Sequence, residues 1–378
     1  TGASYGKLLS AIKERYEQII DGLELNLNLD YEFKTIEENF IAKKGSDYAA
    51  SRGEYLNGII MSHYLGYEFI DAAEVIFFDE NGTFLSEKTN EELSERLAHT
   101  ERAVIPGFYG SNPDGTIHTF SRGGSDITGS IVARAIQADL YENWTDVSGF
   151  LVADPRIVDN PAPIETITYT ELRELSYMGA SVLHEDAIFP VRKEGIPINI
   201  RNTNRPEDPG TMIVENTSKR PRYTITGVAG KKGFCAMNID KAMMNSEVGF
   251  GRKVLEVFEK NGISFEHMPS GIDTMSVLVH QDEFQEKEQS VLAGIQRAVH
   301  PDIVTLESDL AVIAVVGRGM KAMRGTAARI FAALAHAKIN VKMIDQGSSE
   351  LNIIIGVTDD DFEPAIRAIY DIFVKTEL

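Results

Sequence analysis

An internal repeat in the second half of the chain sets the strongest limit on its fold. The segment GFGRKVLEVFEKNGISFEHMPSGIDTMSVLV, which begins at Gly249, aligns without a gap with GTAARIFAALAHAKINVKMIDQGSSELNIII, which begins at Gly325. Each copy has apolar residues at helical spacing, then two short alternating stretches and a second helical segment. With room for a further strand, each copy predicts a ferredoxin-like βαββαβ unit. The pattern alone leaves open whether this repeated scaffold binds a ligand.

The first half of the chain has a different character. Helical patterns alternate with turn clusters, and short apolar stretches such as AVIPGFYG and IPINIR predict strands among the helices, so we expect an α/β domain. The segment NTNRPEDPGTMIVENTSKRPR is rich in Pro, Asn and charge, which is typical of a domain boundary. The predicted domains are residues 1–218, residues 222–308 for the first repeated module, and residues 309–378 for the second.

Composition argues against several classes of protein. The 378 residues are 43% hydrophobic, which is enough for two or three separate cores. The net charge of -20 repels phosphate backbones and anionic lipids, so we expect neither a nucleic-acid nor a membrane partner. The single cysteine, Cys235, excludes an intramolecular disulfide, and no apolar run is long enough to span a bilayer. The start of the chain does not read as a signal peptide, and we predict a cytoplasmic protein.

The stretch SRGGSD (121–126) lies between an apolar strand and a predicted helix. Its two glycines permit close approach of an anion or another backbone, and the helix start presents unpaired N–H groups and a positive dipole end. Arg122 adds the local positive charge that an anionic substrate needs in an acidic protein. The sequence therefore indicates an anion site, with capping of the helix by Asp126 as the simpler alternative. The buried stripe of the helix is predicted to be Ile127, Ile131, Val132, Ala135 and Ile136.

Further polar residues follow the next predicted strand. WTDVSG contributes Thr145 and Asp146, and the DPR that comes shortly afterwards contributes Arg156. Polar side chains after a strand of an α/β sheet are typical of nucleotide sites.

Four motifs together with the repeat resemble the aspartokinase family. SRGEYLNGIIM, SRGGSD, WTDVSGFLVADPR and MGASVLHEDAIFPV occur in that order, and the resemblance extends from about Ser51 to the C-terminus. It implies an amino-acid-kinase catalytic domain, with an open sheet between helices, followed by two ACT modules. Because the two modules interleave in the family, the strand near RYTITGVAG can belong to the second module. The implied enzyme is a monofunctional aspartate kinase, which transfers the γ-phosphoryl group of ATP to the β-carboxylate of L-aspartate in the first step toward lysine, threonine and methionine.

The resemblance assigns four residues to the aspartate substrate. Arg122 is expected at its α-carboxylate, with Ser125, Asp126 and Glu54 around its amino group and body. This arrangement suits the zwitterion, since an arginine faces a carboxylate and acids face an ammonium. Taken without the resemblance, Glu54 is an acid in the first turn of a helix.

The resemblance also assigns residues to ATP. Thr145 and Asp146 are expected near the adenosine and Arg156 near the phosphates. Ser181 stands where many relatives carry a lysine, and Leu151 where they carry a tyrosine. We expect Mg²⁺ to be held mainly by the phosphates and predict no metal site formed by the protein itself.

Regulation by lysine is a further implication of the resemblance. We expect feedback inhibition through the ACT modules, with Glu266 at the lysine ammonium; an exposed strand residue is the alternative for Glu266. We also expect a homodimer through these modules. The sequence leaves open whether dimers pair into tetramers and whether lysine acts alone or with threonine. The effector-binding positions are predicted to be Met244, Val248, Gly249, Phe250, Ser264, Glu266 and Ser270.

Other functions remain as alternatives. The family opens with a strand and a Lys-Phe-Gly-Gly turn whose lysine reaches the ATP phosphates, and we expect the catalytic sheet here to lack that N-terminal part. A catalytically weak or dead amino-acid sensor on the same scaffold is therefore possible, although Arg122, Asp126 and Arg156 argue against it. A kinase acting on glutamate would lack tandem ACT modules. Fusion to a homoserine dehydrogenase is disfavoured because no dinucleotide domain follows YDIFVKTEL.

Overall fold

The computed structural model describes residues 5–376 apart from residues 181, 182, 184–186 and 220. Contacts within the chain divide it into two compact units. The first consists of the residues up to Asn143 and the segment Leu183–Asn199. The second consists of Trp144–Val182 and the residues from Ile200 onward.

Helices occur throughout the described chain, and side-chain capping marks the start of some of them. Asp71 caps the helix Ala72–Val75. The helix Tyr169–Tyr177 begins with a capping box, in which the side chains of Thr168 and Glu171 each accept a hydrogen bond from the other's backbone N–H. The helices are α1 (Gly6–Gly22), α2 (Asp30–Ile41), α3 (Ser46–Leu65), α4 (Ala72–Val75), α5 (Ser86–Leu97), α6 (Gly124–Ala135), α7 (Tyr169–Tyr177), α8 (Phe189–Lys193), α9 (Phe250–Lys260), α10 (Gln281–Gln285), α11 (Glu288–Val299), α12 (Thr326–His336) and α13 (Phe362–Tyr370).

Strands are short in the first half of the chain and long in the second. The strands are β1 (Glu68–Phe69), β2 (Ala103–Val104), β3 (Tyr109–Ser111), β4 (Ile117–Thr119), β5 (Tyr141–Thr145), β6 (Thr166–Thr168), β7 (Ile198–Asn202), β8 (Thr211–Val214), β9 (Gly227–Asp240), β10 (Thr274–His280), β11 (Ile303–Val316), β12 (Met343–Asp345) and β13 (Asn352–Thr358).

The first unit packs α1, α2 and α3 around one apolar core. Their core-facing positions recur at the spacing of an amphipathic helix, and Phe33, Ile36, Leu56 and Ile60 are buried there. In the same unit β1 pairs in parallel with β2, and β3 forms an antiparallel pair with β4. Strand β4 leads into the turn that precedes α6.

A separate sheet of four strands has the order β5-β7-β8-β6, in which β6 and β8 run parallel. Among the described residues, the strands in the first part of the chain therefore form this sheet and the two pairs above, rather than one continuous open sheet. Residues 145–146, predicted to contact the nucleotide, lie at the end of β5 and just beyond it.

The repeated segment forms one antiparallel sheet of five strands with the order β10-β9-β11-β13-β12. Strands β9 and β11 each contribute to both copies of the repeat. The first part of β9, from Gly227 to Lys231, pairs with the last part of β11, whereas its second part pairs with β10 and with the first part of β11. The strand near RYTITGVAG therefore pairs with the part of β11 that belongs to the second copy. This is the pairing expected of two interleaved modules.

The two copies differ at one strand. The second copy has the two predicted short strands, β12 and β13, after its first helix. In the first copy the corresponding stretch before β10 makes only isolated bridges, at His267 and Ser270. Pro269 lies between these two bridges and has no N–H to donate to a ladder, which accounts for the interruption.

Candidate functional site

The SRGGSD turn connects β4 to α6 and needs both of its glycines. Gly123 precedes the helix with a φ of 60°, in the left-handed region that glycine adopts without strain. A Cβ on Gly124 would lie 2.5 Å from the Cβ of Phe108 and 3.0 Å from that of Phe120. The absence of a side chain therefore lets the first turn of α6 approach the neighbouring backbone closely.

Three of the predicted substrate residues lie at this turn. Arg122 and Ser125 are exposed, and among the described residues Arg122 has no hydrogen-bond or ion-pair partner. Asp126 does not cap the helix, because Gly123 occupies the cap position and α6 begins at Gly124. Its carboxylate instead accepts a 2.9 Å hydrogen bond from Nδ2 of Asn143. The turn thus combines an exposed guanidinium with the open start of a helix of 12 residues.

Glu54, the fourth predicted substrate residue, is not in a first helical turn. Helix α3 begins at Ser46, so Glu54 lies in its interior, where it is exposed to solvent. Within the part of the chain that the structure describes, no hydrogen bond or ion pair joins Glu54 to Arg122, Ser125 or Asp126.

Arg52 lies two residues before Glu54 in the SRGEYLNGIIM motif. It was not singled out from the sequence, but it is a buried charged residue of that motif. Its guanidinium lies over the rings of Tyr48, Tyr55 and Tyr109, at 4.6, 4.4 and 5.4 Å from their centroids. Tyr109 donates a 2.7 Å hydrogen bond to Asp71, and burial, followed by the charge of Asp71, raises the pKa of Tyr109. The tyrosines therefore hold Arg52 as part of the framework.

The residues predicted to bind the nucleotide lie in the second unit. Thr145 ends β5, and its carbonyl accepts hydrogen bonds from the backbone N–H and the hydroxyl of Thr203 at 2.8 and 3.0 Å. Asp146 and Arg156 are exposed, and Arg156 pairs with Asp154 at 2.6 Å. The hydrogen bonds from Arg156 lower the pKa of Asp154, and that pairing raises the pKa of Arg156. Ser181 lies outside the described residues.

A cavity of about 780 Å³ lies beside this loop. Its walls come from residues 147–157, from the end of α7 and the residues after it, from the first part of β9, and from the start of α13. Asp154 and Arg156 are among the lining residues, as are Lys231, Lys232 and Glu363. Charged groups of both signs therefore converge on a space large enough for a nucleotide-sized ligand.

The predicted effector residues divide into three groups. Met244 and Phe250 are buried in the apolar core beneath the five-stranded sheet. Val248, Gly249, Ser264 and Ser270 are exposed. Ser270 also lines a second cavity, of about 270 Å³, whose walls include Glu307 and Lys342.

Glu266, the remaining effector residue, is not the exposed strand residue given as its alternative, because only 10% of its side chain is exposed. It accepts a 2.5 Å hydrogen bond from the hydroxyl of Tyr177 and lies 3.2 Å from Nε2 of His280. Burial and the bond to Glu266 raise the pKa of Tyr177 to about 12. The carboxylate thus already has partners within the chain.

A buried ion pair that was not predicted joins α7 to the strands around it. Glu171 is fully buried, and its carboxylate accepts hydrogen bonds from the hydroxyl of Thr226 and from the backbone and guanidinium of Arg318. The Thr-x-x-Glu pattern at 168–171 signals the start of α7, but it does not reveal the distant partner Arg318.

Two further properties of the described part of the chain bear on its function. It contains no group of three or more His, Cys, Asp and Glu side chains that could hold a metal ion. Nor does any helix there have both the length and the apolar character needed to cross a membrane.

Comparison with protein families gives two matches. The profile of the amino acid kinase family matches residues 6–202, which is more than half of the chain. The profile of an ACT domain matches residues 313–373.

Individual proteins are similar over nearly the whole chain. Aspartokinase 3 of Bacillus subtilis is 38% identical over 97% of this chain and 84% of its own length. The crystal structure of Clostridium acetobutylicum aspartate kinase is 52% identical and superposes with a TM-score of 0.89, covering 98% of this chain and 86% of that one. Aspartokinase III of Escherichia coli, solved with aspartate and ADP, is 21% identical with a TM-score of 0.68, covering 96% of this chain and 86% of that one, and supports the fold.

Proposed function

Since this chain belongs to the aspartokinase family, we propose that it is an aspartate kinase, which transfers the γ-phosphoryl group of ATP to the β-carboxylate of L-aspartate. A carboxylate oxygen forms the new bond to the γ-phosphorus while the bond from that phosphorus to ADP breaks, giving aspartyl-β-phosphate. The carboxylate has an ordinary pKa of about 4 and is ionised at neutral pH, so the reaction needs no general base. Catalysis must instead position two anions against their mutual repulsion.

The observation that favours this function most is the exposed guanidinium of Arg122 beside the start of α6, for which the described residues provide no partner. In a chain with a net charge of -20, such a group suits an anionic substrate. We assign Arg122 to the α-carboxylate of aspartate. Ser125, Asp126 and Glu54 remain the residues proposed for its amino group and body.

We assign the nucleotide to the loop that follows β5. Thr145 and Asp146 would contact the adenosine and Arg156 the phosphates, with the 780 Å³ cavity providing the space. Mg²⁺ would be bound mainly by the phosphate oxygens. When bound, the ion neutralises charge on the transferring group.

We further propose that the protein is a cytoplasmic homodimer whose five-stranded sheet, β10-β9-β11-β13-β12, binds lysine and thereby inhibits the enzyme. We call this sheet the regulatory sheet. Binding of lysine would favour a state that holds the substrates poorly. Glu266 can take part only if the lysine ammonium joins or replaces Tyr177 and His280 as its partner. The exposed positions Val248, Gly249, Ser264 and Ser270 would surround the rest of the ligand.

The test is an activity assay with aspartate and MgATP. Hydroxylamine traps the aspartyl phosphate as a hydroxamate, and the amount of hydroxamate is compared with the amount of ADP released. We expect Arg122→Met to raise the KM for aspartate about tenfold or more, because a charge-assisted hydrogen bond is lost, and to change the KM for ATP little. Arg102→Met is the matched control, since Arg102 is an exposed arginine of the same unit that lies over Tyr67.

Other outcomes distinguish the alternatives. Product formed from glutamate in preference to aspartate would identify a different amino-acid kinase. Stabilisation by lysine with no product and no stabilisation by aspartate or MgADP would favour an amino-acid sensor. An equal KM for aspartate in the parent and in Arg122→Met would remove Arg122 from the substrate site.

A further inference from the structure

The 780 Å³ cavity beside the proposed nucleotide loop has one wall formed by the regulatory sheet. Residues 228–232 of β9, which continues into that sheet, line the cavity together with residues from the segment 147–157. A segment of the regulatory sheet therefore faces the same space as Asp154 and Arg156. Its two lysines, Lys231 and Lys232, are the cations of that wall.

Three cations among the described residues line the cavity, and they differ in their partners. Arg156 is paired with Asp154 at 2.6 Å, and Lys232 is paired with Glu363 at 2.9 Å. For Lys231, the described residues provide no carboxylate partner. Among the described residues, no acid neutralises the charge of the Lys231 ammonium, in contrast to the other two cations.

The position of Lys231 is defined by contacts at the end of α7. Its Nζ lies 5.3 Å from the centroid of the Tyr177 ring, and a Cβ placed on Gly179 would lie 3.6 Å from its Cε. The Tyr177 ring and the C-terminal end of α7 both attract the ammonium. Neither of them occupies all three of its N–H donors. Donors remain for a ligand in the cavity.

We propose that Lys231, a residue of the regulatory sheet, binds the polyphosphate chain of the nucleotide directly. This inference rests on the proposed function, which assigns the nucleotide to the same cavity. An ammonium that has no carboxylate partner among the described residues, in a cavity of an acidic protein, matches a ligand that carries several negative charges. Lys231 would thereby connect nucleotide binding directly to the sheet proposed to bind the effector.

The test is calorimetric titration of the full chain with MgADP, with adenosine and with inorganic phosphate. We expect Lys231→Met to weaken MgADP binding about tenfold, because a charge-assisted hydrogen bond is lost, and to leave adenosine binding unchanged. Lys231→Arg keeps the charge and should retain most of the affinity. Lys260→Met is the matched control, since its exposed ammonium is paired with Glu256 on α9 and does not line the cavity, and it should change MgADP binding less than twofold.

The titrations with the three ligands distinguish an error in the role of Lys231 from an error in the nucleotide site. Equal MgADP binding by the parent and Lys231→Met would overturn the role of Lys231 and leave the nucleotide site standing. Failure of the parent to bind MgADP would overturn the nucleotide site itself and this inference with it. Weaker phosphate binding in Lys231→Met, with MgADP binding unchanged, would show that the ammonium serves a separate anion, which also contradicts the inference. Circular dichroism melting of each variant excludes loss of folding as the cause.

Discussion

At the scale of single residues, Glu171 has the most demanding environment in the described part of the chain. It is fully buried and belongs to α7, while its partners are Thr226, which directly precedes β9, and Arg318, which lies in the segment after β11. Burial raises its pKa, but hydrogen bonds from Thr226, Arg318 and Thr168, with the charge of Arg318, outweigh that effect and lower it below the ordinary value. The carboxylate is therefore held ionised.

We expect Glu171→Gln to lower the free energy of unfolding at pH 7 by about 3 kcal/mol, because a glutamine amide would place a donor against the donors of Arg318 and Thr168. Since the folded-state pKa is lowered, the contribution of the carboxylate is complete above the unfolded-state pKa of about 4.3 and disappears as the pH falls through the folded-state value. The difference between parent and variant should therefore shrink below pH 4. Urea unfolding at several pH values measures it.

Glu174→Gln is the control on the same helix. Glu174 is half-buried and accepts one hydrogen bond, from Asn352, which a glutamine oxygen can also accept. We expect a change of less than about 0.5 kcal/mol. A Glu171→Gln variant as stable as the parent at pH 7 would show that the buried pair contributes nothing net.

Sequence patterns identified exposed polar residues better than buried ones. Arg122 was recognisable because a cation beside two glycines and a helix start has an evident chemical use. Glu171 and Lys231 were not, since their importance depends on partners distant in sequence: Arg318 for Glu171, and Tyr177 with Gly179 for Lys231. No local period encodes such contacts.

At the scale of elements, the start of α6 depends on close approach of two backbones. We expect Gly124→Ala to destabilise the protein by about 1 to 3 kcal/mol, because its Cβ would lie 2.8 Å from the Cα of Phe108 and the helix start would have to shift. The same shift should weaken aspartate binding, which titration calorimetry measures alongside unfolding.

Gly53→Ala, in the same unit, is expected to have the opposite effect on stability. Gly53 lies inside α3, and a Cβ there would meet no atom within 4 Å. We expect this substitution to stabilise the protein by about 0.5 to 1 kcal/mol, because alanine is the better helix former. If Gly124→Ala behaved like Gly53→Ala, close packing at the SRGGSD turn would not be required.

Periodic patterns located the elements well and their ends less well. The helix predicted after SRGGSD is α6, with Ile127 and Ile131 buried, but Ile136 is 52% exposed because the helix ends at Ala135. The repeat indicated the regulatory strands, whereas the sharing of β9 and β11 between the copies depends on pairing between distant segments. Family membership, predicted from four motifs and the repeat, is confirmed by the relatives.

At the scale of the whole molecule, the three proposed ligands should act on different segments. A ligand that binds only the folded state raises the free energy of local opening where it binds, by about 2.7 kcal/mol at one hundred times its Kd, which slows amide exchange there about a hundredfold. We expect aspartate to protect the start of α6, MgADP to protect residues 147–157 and 228–232, and lysine to protect residues 264–278.

Hydrogen exchange followed by mass spectrometry measures all three effects in one chain, with alanine as a control zwitterion that lacks the second charge of aspartate or lysine. Because Glu266 is bonded to Tyr177, and Lys231 lies against the ring of Tyr177, lysine should also change exchange at the end of α7. If lysine weakens MgADP binding by some factor, MgADP must weaken lysine binding by the same factor. Protection by lysine confined to residues 264–278, with MgADP affinity unaltered, would contradict a connection through Tyr177.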